Sequence, residues 1–146
     1  MKELYPLIPP SEACARLRRC LQKFNVWESF VKDLGVESDQ FLNDLEGCVA
    51  GSTVEFDGKW FQQVNGLPIG SVISGLLANF YLFEVQESLG ENLAACKEDF
   101  LRYVHDFLIL VSVETDSLAM LDLCNSLDEN LFYSQRRSKP TSILTI

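Results

Sequence analysis

Thr53-Val54-Glu55-Phe56-Asp57-Gly58-Lys59-Trp60-Phe61-Gln62-Gln63-Val64-Asn65-Gly66-Leu67-Pro68-Ile69-Gly70-Ser71 is the stretch on which the fold turns. Before it, apolar residues recur at three- and four-residue steps. Within it they fall into two short runs around Asp57-Gly58, the strongest short hairpin signal a sequence offers. The spacing predicts strands over residues 53–56 and 60–64, a loop with two glycines and a proline, then an apolar helix over about 72–87. Upstream, three helices are expected. The first opens at Pro10-Ser11 and carries Ala13, Leu17, Cys20, Leu21 and Phe24 on one stripe, with Arg16, Arg18, Arg19 and Lys23 on the rest. The second covers about residues 26–34 and stops at Gly35. The third covers about 38–50, with Ser38 as N-cap and Phe41, Leu42 and Leu45 as its buried stripe. Residues 1–10 read as extended, ending in Ile8-Pro9-Pro10.

Downstream, Leu101-Arg102-Tyr103-Val104 and Phe107-Leu108-Ile109-Leu110-Val111 read as two strands around the polar pair His105-Asp106. Residues 115–129 read as a helix with Leu118, Leu121, Leu123 and Leu127 as core. The tail from Leu131 is strand-like but broken by Arg136-Arg137-Ser138-Lys139-Pro140. Helices and strands intermingle, with hairpins in place of regular βαβ alternation, so the expected class is α+β. One antiparallel sheet is expected from residues 2–7, 101–104 and 107–111, backed by helices.

Composition narrows the function classes. At 146 residues the chain is one domain or a piece of a larger one, and 47% hydrophobic content suffices for a core. A net charge of −9 argues against a free-standing polycationic nucleic-acid binder. No apolar run approaches the ~18 residues of a membrane span, and the start has no secretory signature. Five cysteines without a CxxC pair, beside a single histidine, fit neither a zinc site nor a disulfide scaffold. Free thiols in a nuclear or cytoplasmic setting are expected.

Two segments could carry chemistry. His105-Asp106 reads either as ordinary turn residues or as a metal-binding carboxylate on a rigid hairpin tip. Gly66-Leu67-Pro68-Ile69-Gly70-Ser71 reads either as a plain strand-to-helix turn or as a loop admitting close backbone approach to a ligand. Neither is decisive alone.

In order along the chain, however, residues 56–63, Gly66 to Tyr81 with Glu84 beyond, and Arg102-Tyr103-Val104-His105-Asp106-Phe107-Leu108-Ile109 resemble the palm of a reverse transcriptase of the Penelope-like retroelement type. Leu4-Tyr5-Pro6-Leu7-Ile8-Pro9 resembles the tail of the first palm motif. The resemblance makes residues 1–146 a partial reverse transcriptase domain: first-motif tail about 2–9, loop-helix motif about 56–87, hairpin about 101–111. It implies that Tyr5 lies beneath the incoming sugar, and that Gln63, Gly66, Pro68, Gly70 and Ser71 lie against the template base and nascent pair. Ser74 and Ala78 match small packing positions. Tyr103-Val104-His105-Asp106 matches a Y-x-D-D hairpin, which gives Asp106 a catalytic and magnesium-binding role. The implied partners are an RNA template, a DNA primer and deoxynucleoside triphosphates.

The departures matter as much. Two-metal phosphoryl transfer needs carboxylates around two hard cations. His105 stands where the family has its first hairpin Asp, and the Asp of the first motif would fall just before Met1. Segments matching fingers and thumb are largely missing. The expectation is therefore a catalytically impaired reverse transcriptase fragment. The alternatives are a live enzyme read from a truncated gene, and a domesticated palm serving as a binding or scaffold module through its sheet and the Arg16-Arg18-Arg19 helix.

Overall fold

Leu4–Leu7 form one helical turn, α1, in place of the expected strand. Pro6 explains the difference: it has no N–H for a strand ladder and its φ suits a helical turn. The computed structural model describes residues 4–96, 99–110, 116–131, 133–134 and 143–145. The expected strand residues 2–3 and 111 and the breaker at 136–140 lie outside these. The chain divides into two compact units, Tyr5–Tyr81 and Met1–Leu4 with Leu82–Ile146.

In the first unit, helix α2 (Pro10–Lys23) starts with proline in its first turn and buries Ala13, Cys14, Leu17 and Cys20. It packs against α3 (Trp27–Leu34) and α4 (Ser38–Val49). Gly35 ends α3 with φ +67, a left-handed cap that glycine adopts without steric cost. Ser38 is not the N-cap of α4; Glu37 is, without a side-chain cap bond. The Ser38 hydroxyl instead accepts a 3.0 Å hydrogen bond from the indole N–H of buried Trp27. A buried indole donor needs such a partner, and that requirement outweighs capping. Phe41 stands edge-on to Phe30 at 5.3 Å, and both rings lie 6.0 Å from Trp27. Phe41, Leu42 and Leu45 are only half-buried, and Val49 is the residue α4 buries fully.

The arginines of α2 are engaged within the unit. Arg16 lies 3.7 Å from the Tyr81 ring centroid, donates to the Tyr81 carbonyl at 3.1 Å and pairs with Glu12 at 3.0 Å. Arg19 reaches the same carboxylate at 2.8 Å, and Arg18 pairs with Asp39 at 3.2 Å. Strands β1 (Thr53–Phe56) and β2 (Lys59–Gln62) form the expected hairpin. Asp57 and Gly58 both have positive φ, +52 and +69, as a type I′ turn requires.

Helix α5 (Val72–Cys96) runs well past the expected end near residue 87. Its stripe of Leu82, Val85, Leu89 and Leu93 keeps helical spacing, and all four are buried. Gly90, inside this extension, is a packing notch: a Cβ there would stand 3.3 Å from the Phe100 ring. The second unit holds an antiparallel sheet ordered β3 (Asp99–Tyr103), β4 (Asp106–Leu110), β5 (Ile143–Thr145). Among the described residues the third strand thus comes from 143–145, and the expected residues 4–7 are helical instead. Phe107 and Ile109 are buried on one sheet face, where Phe107 meets Phe100 at 6.0 Å and Tyr133 at 5.6 Å. On α6 (Ser117–Ser126) the core residues are Met120 and Cys124; Leu118 is 63% exposed, and Leu121, Leu123 and Leu127 are half-buried. At about 100° per residue, Leu118 stands roughly 200° round the helix from Met120.

Burial alone would raise the Glu12 carboxyl, but hydrogen bonds and charge from Arg19 and Arg16 hold it below its usual 4.5. A depressed carboxyl contributes stability above its unfolded pKa and loses it as pH falls through the folded value. Glu12 is partly exposed, so Glu12→Gln should cost only about 0.5 kcal/mol at pH 7. Urea melts should show that gap closing as pH drops below 4.5.

Candidate functional site

The loop from Gln63 to Ser71 is built by four backbone constraints. The Gln63 N–H donates to the Ser52 carbonyl at 2.8 Å, closing the hairpin base. The Gln63 side-chain amide then donates to the carbonyls of Asn65 at 2.8 Å and Gly66 at 3.1 Å, folding the loop over itself. Gly66 has φ +79 and presses on Pro6, where a Cβ would stand 2.6 Å from the Pro6 carbonyl oxygen. The next N–H, from fully buried Leu67, donates to the Tyr5 carbonyl at 2.8 Å. Loop and α1 are therefore pinned together across sixty residues of chain.

These constraints leave an open groove of about 570 Å³, lined by Pro6, Val54, Gln63, Asn65, Pro68 and Ser71 among others. Of the residues expected at a nucleotide or template, Gln63, Pro68 and Ser71 line the groove. Gly66 presses on Pro6, itself a lining residue. The Tyr5 hydroxyl lies 3.8 Å from where a Cβ at Gly75 would stand, so its side chain runs along the first turns of α5. Gly70 is exposed with φ +93, and a Cβ there would meet open space. Pro6, Val54 and Asn65 were not among the expected residues. Reading residues 1–10 as extended hid Pro6, whose role appears only once Gly66 is packed on it.

His105 and Asp106 belong to the other unit. The turn there is Val104-His105, one residue earlier than expected, and Asp106 is the first residue of β4, paired across from Tyr103. Val104 has φ +55. Glycine is the usual residue at the first central position of a two-residue turn with one positive φ, and a β-branched side chain there is strained by roughly 1–3 kcal/mol. The donors at this turn are one half-buried carboxylate and one imidazole. Among the described residues no three His, Cys, Asp or Glu side chains gather as a metal site. That donor set does not fit two magnesium ions, which take oxygen ligands.

On the basic helix, Arg16 and Arg19 are paired with Glu12 and Arg18 with Asp39, while Arg18 and Arg19 remain partly exposed. Cys14 and Cys124 carry thiols pushed up to about 11 by burial, with the Glu46 charge adding to Cys14. Such thiols are poor nucleophiles at neutral pH. Among the described residues no helix is long and apolar enough to cross a membrane.

Comparison with known proteins agrees with the class of the motifs and is coarser. The chain is 23% identical over 118 residues to the telomerase reverse transcriptase of Euplotes aediculatus, covering 73% of this chain and 11% of that protein. The chain thus spans about a tenth of the relative's length. No family model matches, and no solved structure matches. The relationship is a distant, reverse-transcriptase-like one.

The two loop glycines should differ sharply on substitution. Gly66→Ala meets both a forbidden φ and the Pro6 backbone, and should cost more than about 2 kcal/mol. Gly70→Ala meets only the φ penalty and should cost about 1 kcal/mol, both read from urea midpoints. At the other hairpin, Val104→Gly should raise stability by about 1 kcal/mol by relieving the turn.

Proposed function

We propose that this chain is a palm-type reverse transcriptase fragment, Penelope-like in its motifs, that holds a nucleic-acid strand in the loop groove without polymerising. The observation that carries the reading is the pinned loop. Every residue from Gln63 to Ser71 that the family resemblance assigns to the template or nascent pair sits on one segment locked by Gly66 on Pro6 and Leu67 on Tyr5. The similarity to a telomerase reverse transcriptase supports the same class.

The groove's own chemistry fits a base better than a phosphate. Pro6, Val54 and Ile69 give apolar surface for a base face, while Gln63, Asn65 and Ser71 give hydrogen-bonding edges. Because the Gln63 amide nitrogen is already donating into the loop, its carbonyl oxygen is the group left to accept from a base. Tyr5 fixes the wall behind the groove through its own carbonyl. Catalysis lacks its electrostatic half: Asp106 alone cannot supply the charge that two cations and a leaving phosphate require.

The unaltered chain, given primed RNA, deoxynucleotides and magnesium, should show no extension above background, and His105→Asp alone should not restore it. The same chain should bind a fluorescein-labelled RNA 12-mer in an anisotropy titration, and Gln63→Glu should weaken that binding at least tenfold. Robust extension by the unaltered chain would overturn the non-catalytic reading. Absence of RNA binding would remove the groove from it.

A further inference from the structure

The hairpin β1–β2 poses a problem that the groove does not explain. Among the described residues these strands pair only with each other, and every residue of both is exposed. A bare two-stranded hairpin is marginal in water, and an apolar one is a surface awaiting a cover. The register sorts its side chains into two faces. Val54 stands opposite Phe61 and Phe56 opposite Lys59, so these four share one face. Thr53 opposite Gln62 and Glu55 opposite Trp60 share the other.

The two faces differ in what they can hold. The first carries two phenylalanines, 74% and 50% exposed, beside a lysine. The second carries one tryptophan, 71% exposed, directly across from a carboxylate. A polyanion is drawn to the lysine face and repelled from the glutamate face. Val54 on the lysine face and Thr53 on the glutamate face both line the loop groove, so the groove runs out onto the hairpin, and the sign of the charge, Lys59 or Glu55, is what distinguishes the two faces for a polyanion.

We infer that the Val54-Phe56-Phe61 face, with Lys59, is a stacking platform for the bases of a single-stranded nucleic acid, continuing the groove outward by one or two nucleotides. This rests on the groove reading proposed above. Aromatic faces accept any base, so the platform gives affinity without sequence preference. One lysine contacts one phosphate, so binding is only weakly salt-dependent. The type I′ turn at Asp57-Gly58 keeps the two phenylalanines in register before the strand arrives, which lowers the cost of ordering them on binding.

The test is an anisotropy titration of the full chain with fluorescein-labelled oligouridine and oligodeoxythymidine 12-mers over a range of salt. Phe56, Lys59, Trp60 and Phe61 are exposed and Gln63 is half-buried, and circular dichroism checks that each variant folds. Phe56→Ala and Phe61→Ala should each weaken binding about tenfold, the usual scale for losing one stacked base. Trp60→Ala, on the opposite face, should change it less than twofold. Lys59→Ala should flatten the slope of log K against log salt by about 0.7, one single-strand phosphate contact. Gln63→Glu reports on the groove separately. If it weakens binding while the phenylalanine variants do not, the groove stands and the platform is overturned. If the phenylalanine variants weaken binding and Gln63→Glu does not, the groove reading fails, and with it the platform as the groove's continuation. Equal losses at Trp60 and Phe56, or no binding by the unaltered chain, would overturn the platform. So would concentration-dependent dimerisation in sedimentation that Phe56→Ala abolishes, since the cover would then be a second copy.

Discussion

The contact between Gly66 and the Pro6 backbone, with the Leu67 N–H on the Tyr5 carbonyl beside it, is the constraint the first unit depends on. It joins the start of the chain to a loop sixty residues later, and it sets where the hairpin ends and α5 begins. Only glycine fits, for two independent reasons, the positive φ and the absence of room for a Cβ. Once this contact is made, Leu67 is buried, Gln63 can fold its amide back onto the loop, and the groove acquires Pro6 as a wall. Without it, residues 63–71 would be a surface connection with exposed backbone and no fixed shape.

Electrostatics in the same unit serve packing more than recognition. A helix bearing Arg16, Arg18, Arg19 and Lys23 looks in isolation like a phosphate-binding face. Folded, Arg16 is stacked on Tyr81 and shares Glu12 with Arg19, while Arg18 meets Asp39. The guanidinium groups join α2 to α4 and α5 through planar contacts that lysine would not make. An acidic chain with its arginines so arranged gains little by long-range attraction of nucleic acid. On the proposed reading, affinity for a strand would rest on short-range stacking and hydrogen bonds at the groove and the aromatic hairpin.

What the sequence made legible was local. Asp57-Gly58, Pro10 and Gly35 each carry a backbone preference strong enough to act alone, and each lies where that preference puts it. The errors have two causes, a local feature weighed too lightly and a distant partner overriding a local signal. Residues 4–7 are helical because Pro6 cannot serve a ladder. Ser38 gives up capping to satisfy Trp27. Gly90 continues α5 because Phe100 fills the notch it leaves, and Leu118 is exposed because Met120 and Cys124 set the buried side of α6. The candidate site was legible as a list of loop residues but not as a groove, because its wall, Pro6, belongs to a segment whose conformation is set by the loop itself.

The hairpin bearing His105 and Asp106 shows why fold and chemistry can part. Its stability comes from Phe107 and Ile109 on the buried face and from Phe100 and Tyr133 packed around them. Neither His105 nor Asp106 belongs to that aromatic cluster, and both are half-buried at the turn. A change of side chain there bears on the sheet less than one at Phe107 or Ile109 would, whereas the loop glycine on Pro6 has no tolerated replacement. That asymmetry follows from where each group sits, at a half-buried hairpin turn or inside a backbone-to-backbone contact, and on the proposed reading it lets the shaped loop persist whatever residues stand at the turn.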